Sequence, residues 1–139
     1  MERVLIRIFS ISFILICQLY AAKLHFTTHQ LKGDSPGSTL LVIGGIHGNE
    51  PGGYFAAAIL TLHYQIKKGQ LIVVPNLNFD SLIRNKRGIY GDMNRKFAHI
   101  NKDDPDFKIV NDIKSIILRP DVDFILNLHD GHGFYRQKW

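Results

Sequence analysis

Residues 40–53 read LLVIGGIHGNEPGG, and this stretch decides the fold. It begins as an apolar run typical of a buried strand and then breaks into glycines around His47 and Glu50. Pro51 stands where a first helical residue is expected, because its missing N–H and fixed φ suit that position. A strand, a tight turn and a helix start in succession can direct His47 and Glu50 toward one point.

The rest of the chain alternates between strand-like and helix-like segments. Strands are predicted over residues 23–29, 38–45, 70–75 and 122–128, the last running into a glycine-broken loop, and helices over residues 51–68 and 104–120. Residues 76–102 are polar and show no sustained period, which predicts a long binding loop. This order predicts an α/β fold with a mostly parallel or mixed sheet flanked by helices.

The first 22 residues are typical of a secretory signal peptide. A basic start is followed by the short apolar run IFSISFILIC and small residues at Ala21 and Ala22. Cys17, the single cysteine, lies in this segment, so the exported chain is expected to form no disulfide and to keep no membrane span. The domain prediction is therefore a signal peptide at residues 1–22 and a mature part at residues 23–139.

The charge balance favours an acidic small-molecule or peptide partner over nucleic acid. The 139 residues carry a formal net charge of +5, of which the signal peptide accounts for +1. The mature part contains no Lys/Arg run and no basic stripe interleaved with aromatic residues, so nucleic-acid binding is not expected. An acidic substrate such as a cell-wall peptide suits the remaining charge.

Two histidine-bearing loops follow predicted strands. His47 follows the second strand and His129 follows the fourth, and open α/β sheets place ligands at the carboxyl ends of their strands. Two imidazoles and the Glu50 carboxylate would form the three-ligand set of a catalytic zinc site, with a fourth position for water. The spacing alone also allows His47 to be a loop histidine bonded to backbone, and Glu50 to be a carboxylate at a helix N-terminus.

Three segments in order resemble the signatures of the carboxypeptidase A-like zinc metallopeptidases and their N-acyl-amino-acid deacylase relatives. They read GGIHGNEPGG, RGIYGDMNRKF and NLHDGHGFY. The resemblance implies that zinc binds the metal ligands His47, Glu50 and His129. It further implies that the pair Asn94 and Arg95 binds the carboxylate at the end of the substrate.

The same resemblance implies an arginine that polarises the scissile carbonyl. Arg87, seven residues before Asn94, is the better match, and Arg84 is the reserve candidate. Met93 departs from the family pattern, which has Leu at this position of the middle segment. The general-base glutamate of the family lies far downstream of the last signature, so no acidic residue here is assigned that role.

The signal peptide together with GDMNRKF and the HDG–GFY pattern is most similar to the cell-shape-determining peptidoglycan DL-carboxypeptidases of helical bacteria. That resemblance implies a periplasmic enzyme that trims stem tripeptides to dipeptides and releases meso-diaminopimelate. Some members carry Gln where this chain has His47. Two alternatives stay open: a deacylase of the aspartoacylase and succinylglutamate desuccinylase type, or a non-catalytic remnant that binds metal or peptide. The oligomeric state is not predicted, and the 139-residue chain alone is expected to be inactive.

Overall fold

The computed structural model describes residues 25–131, so the predicted signal peptide lies outside the described part. Four strands are present there: β1 (His29–Lys32), β2 (Ser35–Ile43), β3 (Lys68–Val74) and β4 (Phe124–Asn127). Three α-helices accompany them: α1 (Pro51–His63), α2 (Phe79–Ile83) and α3 (Phe107–Ile117). A short 3₁₀ turn covers Met93–Arg95.

The four strands form one mixed sheet in the order β1-β3-β2-β4. β2 pairs in parallel with both β3 and β4, whereas β1 runs antiparallel to β3. Ile43 at the end of β2 lies opposite both Val74 and Asn127, so the loops after β2 and β4 leave the sheet at the same edge. The predicted α/β class with a mixed sheet is confirmed.

Helices cover the two faces of the central strands. Because side chains alternate along a strand, successive residues of β2 and β3 face opposite sides. On one face Leu41 and Ile72 belong to a buried cluster with Val110 and Ile113 of α3. On the other face, Val42, Leu71 and Val73 pack with Ala57 of α1.

The first predicted strand and the first predicted helix are placed incorrectly. Residues 25–28 are not a strand, and β1 starts at His29, where pairing with β3 begins. Phe26 is buried in the core instead. Helix α1 ends at His63 rather than at residue 68, because Tyr64 is extended and Ile66 packs against the α1-side core. Residues 68 and 69 belong to β3.

The predicted loop at residues 76–102 contains the short α2 and the 3₁₀ turn. The side chain of Asn78 caps α2 by accepting a hydrogen bond from the backbone N–H of Ser81. The remaining predicted strands, including β4 within the predicted 122–128, and the second helix agree with the structure to within a few residues. No helix in residues 25–131 is both long and apolar enough to span a membrane.

Candidate metal centre

The loop after β2 presents His47 and Glu50 to the same side. His47 is 1% exposed, and its Nδ1 lies 2.9 Å from Oε1 of Glu50. Glu50 occupies the N-cap position of α1, but its side chain makes no capping hydrogen bond. Both ring nitrogens of His47 face carboxylates, so neither the backbone-bonded histidine nor the helix-capping glutamate describes these residues.

The loop after β4 brings His129 to the same point. Its Nδ1 lies 2.7 Å from the second carboxylate oxygen of Glu50, although the two residues are 79 positions apart. The rings of His47 and His129 are tilted by 50° with their centroids 4.9 Å apart. The structure therefore brings together the three residues predicted to bind metal.

Close backbone packing allows this convergence. A Cβ built on Gly53, in the first turn of α1, would lie 2.6 Å from the carbonyl oxygen of Leu128. Any side chain at Gly53 would push α1 away from the loop that carries His129. The paired glycines after Pro51 thus serve packing between the two ligand-bearing segments.

The donor set fits a metal cation. One ligand atom from each of His47, Glu50 and His129 lies within 4.8 Å of the other two. His47 has a carboxylate oxygen beside each ring nitrogen, whereas a neutral imidazole has only one N–H to donate. When Nε2 donates to Asp92, Nδ1 faces the Glu50 carboxylate with a lone pair, and a cation between them removes the repulsion. The site can therefore hold a metal.

Asp92 connects the loop that carries His47 to the loop before the 3₁₀ turn. Its Oδ1 accepts from His47 Nε2 at 2.8 Å and from the backbone N–H of Asn94 at 3.0 Å. Its Oδ2 accepts from Nε of Arg87 at 3.1 Å. A carboxylate on the far nitrogen of a metal-binding imidazole fixes the tautomer and the ring orientation. Asp92 thus orients His47 and the following turn together.

Arg87 reaches the centre itself. A terminal nitrogen of its guanidinium donates to Oε1 of Glu50 at 2.9 Å, and the side chain stays about half exposed. The structure places Arg87 at the predicted position beside the metal ligands. The exposed Arg84, at the end of α2, forms no hydrogen bond with Glu50 or Asp92 in the described part of the chain.

Both site carboxyls have a lowered pKa. Burial works to raise the pKa of Glu50, but the hydrogen bond with His129 and the interaction with His47 outweigh it. Burial likewise works to raise the pKa of Asp92, and hydrogen bonds from His47 and Arg87 outweigh it. Both groups are therefore carboxylates at neutral pH, as metal binding and charge pairing require.

The predicted carboxylate-binding pair lies on the 3₁₀ turn next to Asp92. Met93 is fully buried in the core, which fixes the turn, while Asn94 is half-buried and Arg95 is exposed. Backbone hydrogen bonds join the N–H of Arg95 to the carbonyl of Asp92 and the N–H of Lys96 to that of Met93. Asn94 and Arg95 therefore lie two and three residues after Asp92, whose carboxylate is hydrogen-bonded to His47.

Sequence reasoning gave no role to Asp92 and Lys96, and it expected Asp130 to support the neighbouring ligand or the loop. Lys96 donates to the carbonyl of Tyr90 and to Asp104 and Asp106 at 2.7, 2.7 and 2.8 Å. Asp130, expected to serve loop structure, accepts a hydrogen bond from the backbone N–H of Gly52. A carboxylate in a matched signature segment was the available signal for Asp92. Lys96 lies in the same segment, but its carboxylate partners Asp104 and Asp106 lie outside it.

A mixed sheet with two histidines and a glutamate meeting at its strand ends defines a carboxypeptidase-like metal-site protein. The comparisons with known proteins agree with this class. The model of the catalytic domain of carboxypeptidases controlling helical cell shape matches residues 1–139. The chain belongs to this family, and the resemblance read from the three signature segments is confirmed at that level. No curated protein matches the sequence significantly.

Solved structures of the cell shape determinant protein Csd4 from Helicobacter pylori are similar to the chain. A glutamine-to-histidine variant is 42% identical, with a TM-score of 0.74, over 81% of this chain and 28% of that one. The mDAP-bound form, described as a D,L-carboxypeptidase, is 43% identical, with a TM-score of 0.72, over 79% of this chain and 28% of that one. The chain thus spans less than a third of Csd4.

A more distant likeness joins the chain to the deacylase branch. The succinylglutamate desuccinylase/aspartoacylase of Rhodobacter sphaeroides is 25% identical, with a TM-score of 0.65, over 75% of this chain and 33% of that one. Both groups share the sheet and its helices with the present structure.

Proposed function

We propose that this protein is a zinc-dependent metallocarboxypeptidase that trims peptidoglycan stem peptides from tripeptide to dipeptide. The observation that carries the proposal is the meeting of His47, Glu50 and His129 beside Arg87. The chain spans 28% of the matched Csd4 chains, so the activity of the whole enzyme is part of the proposal.

Zinc is the metal that this donor set suits best. Two imidazoles and one carboxylate are the ligands of catalytic zinc in carboxypeptidases, and they leave one coordination position open. When bound, the ion supplies Lewis acidity to a carbonyl and lowers the pKa of a bound water to about 7. His47, Glu50 and His129 would hold it.

The remaining residues would bind and orient the peptide. Arg95 presents a planar guanidinium that can grip a terminal carboxylate through two parallel hydrogen bonds, and the Asn94 amide can donate beside it. Arg87 is hydrogen-bonded to Glu50 and Asp92 and would donate to the carbonyl oxygen of the scissile bond as negative charge develops there. Hydrolysis adds water across that amide bond, giving a carboxylate and a free amine.

The substrate class and the compartment follow from the similar proteins and the N-terminal sequence. Csd4 structures are described as tripeptide-bound, product-bound and mDAP-bound. Diaminopimelate at the end of a stem tripeptide provides the free carboxylate that Asn94 and Arg95 would bind. The signal-like residues 1–22 favour export to the periplasm, where peptidoglycan lies.

The test is an assay on the protein from the complete gene with residues 1–22 removed and zinc bound. Muramyl-L-Ala-γ-D-Glu-meso-diaminopimelate is the substrate, and the products are followed by mass. Release of diaminopimelate is expected from the parent and from the exposed control Asp80→Ala, and it is expected to be lost in Glu50→Ala. No release from the zinc-loaded parent would reject the proposal.

A second candidate is N-acyl-amino-acid deacylation. The seven-residue spacing from Arg87 to Asn94 and the fold shared with the Rhodobacter protein favour it. Such a substrate also ends in a carboxylate and contains one amide bond, so the same residues would bind it. Hydrolysis of N-acetyl-aspartate or N-succinyl-glutamate by the parent, together with inertness toward the muramyl tripeptide, would select this function.

A further inference from the structure

The metal centre depends on two segments that are distant in sequence. His47 and Glu50 lie in the loop between β2 and α1, whereas His129 follows β4, and 79 residues separate Glu50 from His129. The pairing of β2 with β4 brings the strand ends together but ends at Asn127, two residues before His129. The backbone N–H of Leu128 still donates to the carbonyl of Ile43 at 2.8 Å, so the loop leaves the sheet only at His129 and its position beyond that point is set by contacts with α1 and its N-terminus.

Asp130 makes that contact with the start of α1. Its Oδ2 accepts a hydrogen bond of 2.8 Å from the backbone N–H of Gly52, the second residue of the helix. Its own backbone N–H points at Oε2 of Glu50 at 3.3 Å. Asp130, the residue after His129, is therefore bonded through its side chain to α1 and through its backbone N–H to Glu50.

The helix lacks any cap of its own. The side chain of Glu50, at the N-cap position, faces the metal centre, and no acidic residue occupies the first turn of α1. Helix N-termini leave N–H groups without partners and favour negative charge. Asp130 supplies both the acceptor and the charge from another segment. A Cβ on Gly52 would collide with the Asp130 carboxylate, so glycine at this position is what admits the contact.

We propose that Asp130 is a positioning residue: by capping α1 across the site, it fixes His129 relative to Glu50 and thereby raises the affinity for metal. The inference rests on the metal site of the proposed function. Asp130 does not bind the metal in this scheme. It holds the two ligand-bearing segments in register before the ion arrives, so that binding requires less ordering of the His129 loop.

Zinc affinity tests the proposal without reference to peptidase activity. The protein from the complete gene, lacking residues 1–22, is titrated with zinc against a chromophoric chelator. Asp130→Ala is expected to weaken zinc binding by about 10- to 100-fold, the range for groups that orient metal ligands. Asp130→Asn keeps an acceptor oxygen of the same reach and is expected to stay within about threefold of the parent.

The matched control is Asp121→Ala, which removes an exposed carboxylate paired with Arg119 and should leave zinc affinity unchanged. Circular dichroism of the metal-free proteins checks folding. Asp130→Ser, with a shorter acceptor, should fall between the Asn and Ala variants and gives a second measure if Asp130→Ala does not fold. At saturating zinc, Asp130→Ala should recover most of the parent's activity, whereas Glu50→Ala should not.

Two results would overturn the inference: zinc affinity of Asp130→Ala within twofold of the parent, or equal losses in the Asn and Ala variants. Equal losses would assign the effect to charge near the ion rather than to the cap. If the parent binds zinc tightly and Asp130→Ala binds it equally well, only the role of Asp130 is rejected. A parent that binds no zinc would reject the metal site itself.

Discussion

Replacing Lys96 with Met should loosen the contact between the start of α3 and the segment that carries the 3₁₀ turn Met93–Arg95. The Lys96 ammonium donates to the carbonyl of Tyr90 and to the carboxylates of Asp104 and Asp106, and its side chain is 12% exposed. It thereby joins the loop before Asp92 to the start of α3. Met matches the length of the Lys stem, so the substitution removes the charge with little change in packing.

The magnitude follows from what the substitution leaves behind. Removing one partner of a buried ion pair costs about 3–5 kcal/mol, because the other charge stays buried without compensation. The side chain of Asp106 is 9% exposed and that of Asp104 is 24% exposed, so solvent relieves the second carboxylate in part. We therefore expect a loss at the low end, about 3 kcal/mol for local opening around α3.

Hydrogen exchange measures this locally in the full protein. Amide protection of peptides covering Phe107–Ile117 should fall by about 100-fold in Lys96→Met, the factor that corresponds to about 3 kcal/mol. Lys108→Met is the matched control, because Lys108 is 57% exposed and its pair with Asp112 is worth only about 0.3–0.5 kcal/mol. Equal protection in the two variants would show that the Lys96 cluster does not stabilise this region, and the reasoning would fail.

Other substitutions and conditions test the remaining parts of the structure. Gly53→Ala should lower the melting temperature and the zinc content, since overpacking against the Leu128 carbonyl costs about 1–3 kcal/mol. Arg95→Lys should raise the KM for the tripeptide by about 10-fold or more with a smaller change in kcat, whereas Arg84→Lys should leave both unchanged. Asp104 has a pKa lowered chiefly by its hydrogen bond with Lys96, so its contribution to stability is present above about pH 4 and lost as the pH falls through the lower folded value. The melting temperature should therefore fall less between pH 6 and pH 3 in Asp104→Asn than in the parent. Chelator treatment should lower the melting temperature of the parent, and added zinc should restore it, because the ion binds only the folded site.

The hydrophobic pattern of the sequence predicted the longer helices and strands, because the buried residues of each follow its structural period. α3 places Val110 and Ile113 on one face, and the buried run of β2 is continuous, so both are visible in the sequence. α2 was missed because five residues are too few to display a helical period, and its cap at Asn78 is a single local signal. The end of α1 was missed because the extended turn at Tyr64 serves the packing of Ile66, a contact distant in sequence.

The three residues that meet at the candidate metal centre could be predicted from their place after two strands and from the family resemblance, whereas the contacts of the residues around them could not. Asp92 and Asp130 are acidic residues in polar loops, and such residues usually face solvent. Their roles arise only when the fold places Asp92 against the far nitrogen of His47 and Asp130 against the N–H of Gly52. Contacts of this kind join separate segments, so the local sequence does not show which groups these two carboxylates contact.

The glycines after Pro51 connect the local sequence signal with a contact between distant segments. A catalytic metal site needs ligands held within a fraction of an ångström, yet here the ligands come from two loops. Gly53 lets α1 approach the backbone at Leu128, and Gly52 admits the Asp130 carboxylate, so the helix start itself becomes the part that aligns Glu50 with His129. A variant that kept all three ligands but carried a larger residue at either glycine would retain the chemistry of the site and lose its geometry. The spacing of His47 and Glu50 is therefore informative only together with the two glycines that follow.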